Sequence, residues 1–196
     1  MSGLKILGVS GSPRKGGNSE TLLDWTLEAA EAAGGDVEKI RVCSLDINPC
    51  RHCGWCDSRG ECVQKDGMSD IYKKYLAADR VVIATPLFFM NAPAQLKAFI
   101  DRFQCVWAKR YLLNKELRET GAEARGWLLA VGGTKGPSLF DGIDQMIKCF
   151  YSITDVRFDS GRSLRYRSVD HAGDMLEHAT ARADAEALGK FIAAED

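Results

Sequence analysis

Apolar positions along this 196-residue chain fall into two alternating patterns. Short, nearly continuous apolar runs are "KILGVSG" (5–11), "DVEKIRV" (36–42), "DRVVIATP" (79–86) and "RGWLLAVGG" (125–133), with "DVRFDSG" (155–161) a more polar fifth. Runs of this kind predict strands of a parallel sheet buried on both faces, the polar one at an edge. Between them apolar residues recur every three to four positions. Leu23, Leu27 and Ala30 share a face before the Gly34-Gly35 stop. Leu96, Phe99, Ile100 and Phe103 do so within 91–103, and Phe140, Ile143, Ile147 and Phe150 within 138–151. These spacings predict helices. A short helix over 69–78, with Ser69 as N-cap, and a long one over 173–194 complete the set.

Five strands alternating with helices predict an α/β doubly wound five-stranded parallel sheet. Residues 1–196 read as a single domain without repeats or linkers, interrupted by a cysteine-rich loop at 48–66 and an irregular excursion at 106–123. The excursion carries Trp107, Tyr111, Leu112 and Leu113, and reads either as a surface loop or as a subunit interface. A formal net charge of −1, from 26 basic and 27 acidic residues, gives no basic footprint for nucleic acid or a membrane surface. The apolar run at the N-terminus is too short and too glycine-interrupted for a signal peptide or spanning helix, so a cytoplasmic protein is expected.

The turn after the first strand, "GVSGSPRKGGNSET", packs Ser10, Ser12, Gly17, Asn18 and Ser19 around a helix N-terminus, with Arg14 or Lys15 to add charge. Backbone N–H groups, hydroxyls and the helix dipole there suit a phosphate. The P-loop pattern is absent, because Gly16 is followed by Gly17-Asn18-Ser19, and so is the G-x-G-x-x-G dinucleotide fingerprint. A single phosphomonoester is the ligand that remains. In open α/β sheets the ligand lies beyond the strand C-termini. There the third strand runs into "TPLFFMNAP", with Pro86, Leu87, Phe88, Phe89, Met90 and Asn91, and the fourth into "GGTKGPS", with Gly132, Gly133, Thr134 and Lys135. Alone, the aromatic pair would read as core packing. Beside a phosphate loop and an amide-rich loop, it suits flavin mononucleotide (FMN), which has a phosphate tail, an apolar ring and a polar pyrimidine edge. No triad, carboxylate pair or general base stands out, so no catalytic residue is named.

"CRHCGWCDSRGEC" places Cys50, Cys53, Cys56 and Cys62 within thirteen residues, four of the chain's seven cysteines. In a reducing compartment, clustered thiols bind metal or do redox work more often than they form disulfides. Three at three-residue spacing can wrap a cubane, with Cys62 returning from the far side. Zinc, a disulfide pair and plain thiols compete with that reading. Cys43, Cys105 and Cys149 read as small buried hydrophobes, and His52, His171 and His178 as surface or cap residues.

"SGSPRKGGNS", "PCRHCGWCDSRGECVQKDGMSDIY", "TPLFFMNAPAQLKAFIDRFQ" and "VGGTKGPSLFDG" together resemble the flavodoxin-like NAD(P)H-dependent FMN reductases, in particular their iron–sulfur flavoprotein branch. The resemblance runs from about residue 4 to about residue 192. It implies bound FMN, NAD(P)H as donor without a separate nicotinamide motif, and a four-iron four-sulfur (4Fe-4S) cluster on the C-x2-C-x2-C-x5-C loop. It also implies a homodimer or a tetramer, with flavin and cluster close across subunits. The implied partners are a small-molecule electron donor and acceptor. A non-enzymatic carrier exchanging electrons with a ferredoxin-like protein is the other reading.

Overall fold

A computed structural model describes residues 3–118 and 123–194. Five strands, β1 (Lys5–Ser10), β2 (Asp36–Arg41), β3 (Arg80–Pro86), β4 (Ala124–Val131) and β5 (Val156–Phe158), lie in the order β2-β1-β3-β4-β5, and every pairing is parallel. A sixth, β6 (Leu164–Tyr166), pairs with the far half of β4, so β5 and β6 together form one interrupted edge. The predicted fifth strand at 155–161 is therefore shorter and resumes later. At the break the Ser163 hydroxyl accepts the Leu128 N–H at 2.9 Å, supplying a rung that the backbone does not.

Helices cover both faces because successive strand side chains point to opposite sides. Val81 and Ile83 pack with Ile71, Phe99 and Ile147, from helices α2 (Met68–Ala77), α3 (Ala94–Asp101) and α5 (Asp141–Ile153). Val82 and Ala84 pack with Leu23, Leu27 and Leu188, from α1 (Asn18–Ala32) and α7 (Ala181–Ala193). After α3 come α4 (Gln104–Trp107) and a π-helical turn at Ala108–Leu112. These occupy the start of the predicted excursion, of which residues 119–122 lie outside the described set. The predicted long final helix is broken into α6 (Asp174–Glu177) and α7. The Ser69 N-cap is also corrected. α2 begins at Met68, whose N–H is accepted by the Asp66 carboxylate at 3.1 Å.

Gly189 lets α7 lie against α1. A Cβ there would overlap the Thr26 carbonyl oxygen and stand 2.8 Å from the Ala29 Cβ. Gly189→Ala is expected to cost about 1–3 kcal/mol through overpacking. Urea unfolding should show a lower midpoint with an unchanged slope; an unchanged midpoint would refute the close packing.

Candidate functional site

Parallel register brings three loops to one edge. Ser10 pairs with Ala84 and Pro86 with Val131, and the Gly11 N–H donates to the Ala84 carbonyl at 2.8 Å. β1 and β3 are neighbours whose connections leave to opposite faces, so the edge between them is the switch point where α/β folds bind ligands.

The first loop wraps the start of α1. Ser10 and Ser19 are buried, and neither hydroxyl has a hydrogen-bond partner. A buried, unpaired polar group costs about 1–3 kcal/mol, a cost an arriving phosphate would remove. No side chain caps α1 at Gly17. The Ser12 hydroxyl donates to the Arg14 carbonyl at 3.0 Å and accepts the Arg14 N–H at 3.2 Å, which folds the loop on itself; the Arg14 residue is otherwise exposed. Asn18 lies at the same helix start, but its side chain donates to the His171 carbonyl at 2.7 Å and accepts the Met175 N–H at 3.3 Å. It therefore ties the 171–175 segment to this loop.

Glu20 was not anticipated. Its carboxylate accepts the Gly16 N–H at 2.9 Å and pairs with Lys39 at 3.2 Å and Arg41 at 2.7 Å. Burial alone would raise its pKa, but these bonds outweigh burial and hold it below the ordinary glutamate value. The two cations offset its charge beside an anion site.

In the second loop, Pro86 and Leu87 are half-buried, while Phe88, Phe89 and Met90 are exposed rather than packed under the sheet. Phe88 and Asn91 exchange backbone hydrogen bonds at 2.9 and 3.1 Å, closing a two-residue turn. Phe89 and Met90 both have positive φ, 50° and 63°. Left-handed backbone at two bulky residues stores strain, and such strain clusters at binding sites. In the third loop, the Gly132 N–H is bonded to the Tyr166 carbonyl at 2.9 Å. Among the described residues, the amides of Gly133, Thr134 and Lys135 donate to no acceptor, and the three residues stand at the exposed rim. A Cβ on Gly133 would meet the Asp170 carboxylate at 2.8 Å, so the loop after β6 joins this rim.

The cysteine segment lies between β2 and α2 and folds through left-handed residues at His52, Gly54 and Gly60. Cys50, Cys53, Cys56 and Cys62 all line one cavity of about 40 Å³. All seven cysteines of the chain are free thiols. Burial, the Asp57 carboxylate and the neighbouring Cys50 and Cys62 push the Cys56 thiol above its ordinary pKa. Among the described residues, no three His, Cys, Asp or Glu groups converge as ligands of a single metal ion. Of the three remaining cysteines, Cys149 is exposed and Cys43 half-buried, which corrects their reading as buried hydrophobes. Cys105 is buried, and it forms a fifth sulfur in the wall of the cavity.

Residues 4–136 match the family model described as NADPH-dependent FMN reductase. An iron-sulfur flavoprotein of Methanosarcina thermophila is 37% identical over 132 residues, 67% of this chain and 65% of that protein. An iron-sulfur flavoprotein of Archaeoglobus fulgidus is 43% identical over 99 residues, 50% of this chain and 45% of that protein. The chain thus spans between about half and two thirds of the length of these relatives. Among solved structures, RosB with bound 8-demethyl-8-formylriboflavin-5'-phosphate superposes with a TM-score of 0.72 at 16% identity, covering 97% of this chain and 79% of that one. At that identity the likeness is one of fold.

Proposed function

The chain belongs to the NADPH-dependent FMN reductase family, and from that premise we propose that it is an FMN-dependent oxidoreductase drawing electrons from NAD(P)H for a small acceptor. The observation that carries this reading is the pair of buried, partnerless hydroxyls of Ser10 and Ser19 at the uncapped start of α1. They fit the phosphate of FMN, the exposed Phe88–Met90 turn fits its ring, and the amides of Gly133 to Lys135 fit its pyrimidine edge. Bound FMN would supply hydride acceptance and one-electron transfer. The chain's own residues bind and orient: the cradle fixes the phosphate, the strained turn sets the ring's height, and the rim amides select its polar edge.

Anaerobic mixing of FMN-loaded protein with NADH or NADPH tests the reading. Rapid loss of the flavin's visible absorbance with either donor is expected, and no loss with both would remove the reductase activity. Lys135 is exposed on the loop after β4, where the pyrimidine edge would lie. Its positive charge favours the reduced flavin, so Lys135→Met should lower the flavin midpoint potential; an unchanged midpoint would show that Lys135 has no electronic role.

The donor set of Cys50, Cys53, Cys56 and Cys62 fits a 4Fe-4S cluster, in which each thiolate binds a different iron around a void. A cavity of about 40 Å³ has room for about three waters, so loading must widen it. Cys53 is the exposed cysteine of the four. The carrier reading is favoured by one feature. Lys65, Lys73 and Lys109, against Glu61, line a cleft of about 350 Å³ whose wall includes Cys62, a positive approach for an acidic protein such as a ferredoxin. Reduction of the cluster by ferredoxin without any reaction with NAD(P)H would select it. Self-association is assigned to the face of α3 and α5, where Ile100, Trp107 and Met146 line a cleft of about 650 Å³ between Asn91 and Cys50. Light scattering that finds only monomer would exclude it.

A further inference from the structure

The thiol pocket has one more wall, built by a residue that the flavin chemistry leaves unexplained. Arg102 ends α3 and its side chain is fully buried. Its Nη1 donates to the Asn48 carbonyl at 2.8 Å and to Asp66 Oδ2 at 2.6 Å, and its Nη2 to Asp66 Oδ1 at 3.0 Å. Asp66 in turn accepts the Asn48 N–H at 3.2 Å. Asn48 lies two residues before Cys50, and Asp66 four residues after Cys62. The guanidinium therefore joins both ends of the segment that carries all four cysteines. Gln64 adds a parallel tie, donating to the Pro49 carbonyl at 3.2 Å.

The fork uses Nη1 and Nη2 only. The Arg102 Nε is buried and has no partner, and Arg102 lines the same cavity as Cys50, Cys53, Cys56 and Cys62. An unpaired donor on a buried cation is costly, a cost that a bound acceptor would remove. The cavity wall holds five cysteines, and its oxygen-bearing side chains, Asp57, Gln64 and Gln104, leave the Nε–H unbonded, so a sulfur of a bound group is the acceptor in reach.

We propose that Arg102 is the positioning residue of the thiol pocket: its fork clips the two ends of the cysteine segment together, and its Nε–H is held free to donate a hydrogen bond to a sulfur of the iron–sulfur group. The second half rests on the cluster reading above; the first does not. A sulfur that accepts this bond is stabilised most when the group is reduced and more negative, so Arg102 raises the cluster's potential.

The test compares the wild-type chain with Arg102→Lys and Asp66→Asn. In metal-free protein both variants break the clip, and iodoacetamide should modify Cys62 at least about tenfold faster, since breaking a buried ion pair is strongly destabilising. In anaerobically reconstituted protein the two should move the cluster midpoint in opposite directions. Arg102→Lys keeps the charge but loses the Nε–H donor, so the potential falls; Asp66→Asn removes a negative charge and the potential rises. The fall in Arg102→Lys reads the donor, while the rise in Asp66→Asn follows from its charge alone. Unchanged alkylation in both variants overturns the clip, and an unchanged midpoint in iron-replete Arg102→Lys overturns the donor. If wild-type protein takes up no iron and sulfide, the cluster reading and the donor role fail, while alkylation still decides the clip. If Arg102→Lys does not fold, alkylation of Asp66→Asn decides the clip, and magnetic coupling between an arginine Nε and the reduced cluster in 15N-arginine-labelled wild-type protein decides the donor; no coupling overturns it.

Discussion

Replacing Ser12 by glutamate is expected to weaken FMN binding at least about a hundredfold while leaving riboflavin binding nearly unchanged. Ser12 is buried, and its hydroxyl holds the loop shape through Arg14. It lies so close to the helix start that a Cβ on Gly17 would stand 3.1 Å from its oxygen. A carboxylate placed there meets the phosphate at short range. Two unit charges about 4 Å apart near a protein surface repel by about 4 kcal/mol, and each 1.4 kcal/mol is tenfold in affinity. A hundredfold loss thus asks for less than the full Coulomb term. Ser12→Ala removes only the hydroxyl's bonds to Arg14, and should cost less than about tenfold.

The comparison of ligands carries the decision. Riboflavin lacks the phosphate, so a glutamate acting through charge spares it, whereas a glutamate that collapses the loop loses both ligands. Titration of the apoprotein, followed by quenching of flavin fluorescence, reads both constants. No loss of FMN affinity would remove the phosphate from this loop, whereas equal losses for both ligands would show loop collapse in place of charge repulsion.

What could be read in the sequence was what local pattern determines. The buried runs of β1, β3 and β4 are continuous because helices cover both of their faces, and apolar continuity is visible along the chain. Each departure has a partner far away in sequence. The edge strand breaks because the Ser163 hydroxyl takes the place of a ladder carbonyl for Leu128, thirty-five residues earlier. The final helix breaks near His178, whose ring packs edge-on against Tyr166 at 4.6 Å, although "HATARADA" is a good helix-forming string. Ser69 has the right residue type for a cap, but Asp66 takes that role while it is bound by Arg102 from thirty-six residues away.

The site divides in the same way. The glycine, serine and aromatic loops announce themselves by composition, because a phosphate loop must be small and an exposed aromatic turn is unusual. Glu20 and Arg102 do not, and Cys105 is legible only as a buried residue. A glutamate in a first helical turn is ordinary, and an arginine after "KAFID" looks like a solvated helix end. Only the fold shows that each is buried, and only its bonding partners show why.

Serine at Cys50, Cys56 or Cys62 should abolish the broad iron–sulfur absorbance of anaerobically prepared protein, which otherwise should carry roughly four irons per chain, and FMN should remain bound in each variant. The metal content separates this from the zinc alternative. A zinc site gathers its ligands around a single ion at about 2.3 Å for sulfur, whereas a cubane gives each thiolate its own iron. Four thiols set around the wall of a shared cavity match a group that offers a separate iron to each. Cys53, the exposed member, should behave the same way, but Cys105 offers a fifth sulfur at the wall. Cys53→Ser can therefore retain partial iron, and Cys53→Ser combined with Cys105→Ser should retain none. FMN should survive every variant, because the cradle at Ser10 to Ser19 shares no residue with the thiol pocket. Zinc in place of iron, or full one-electron transfer in all four single serine variants, would overturn the cluster and leave a flavin reductase with a redox-silent loop.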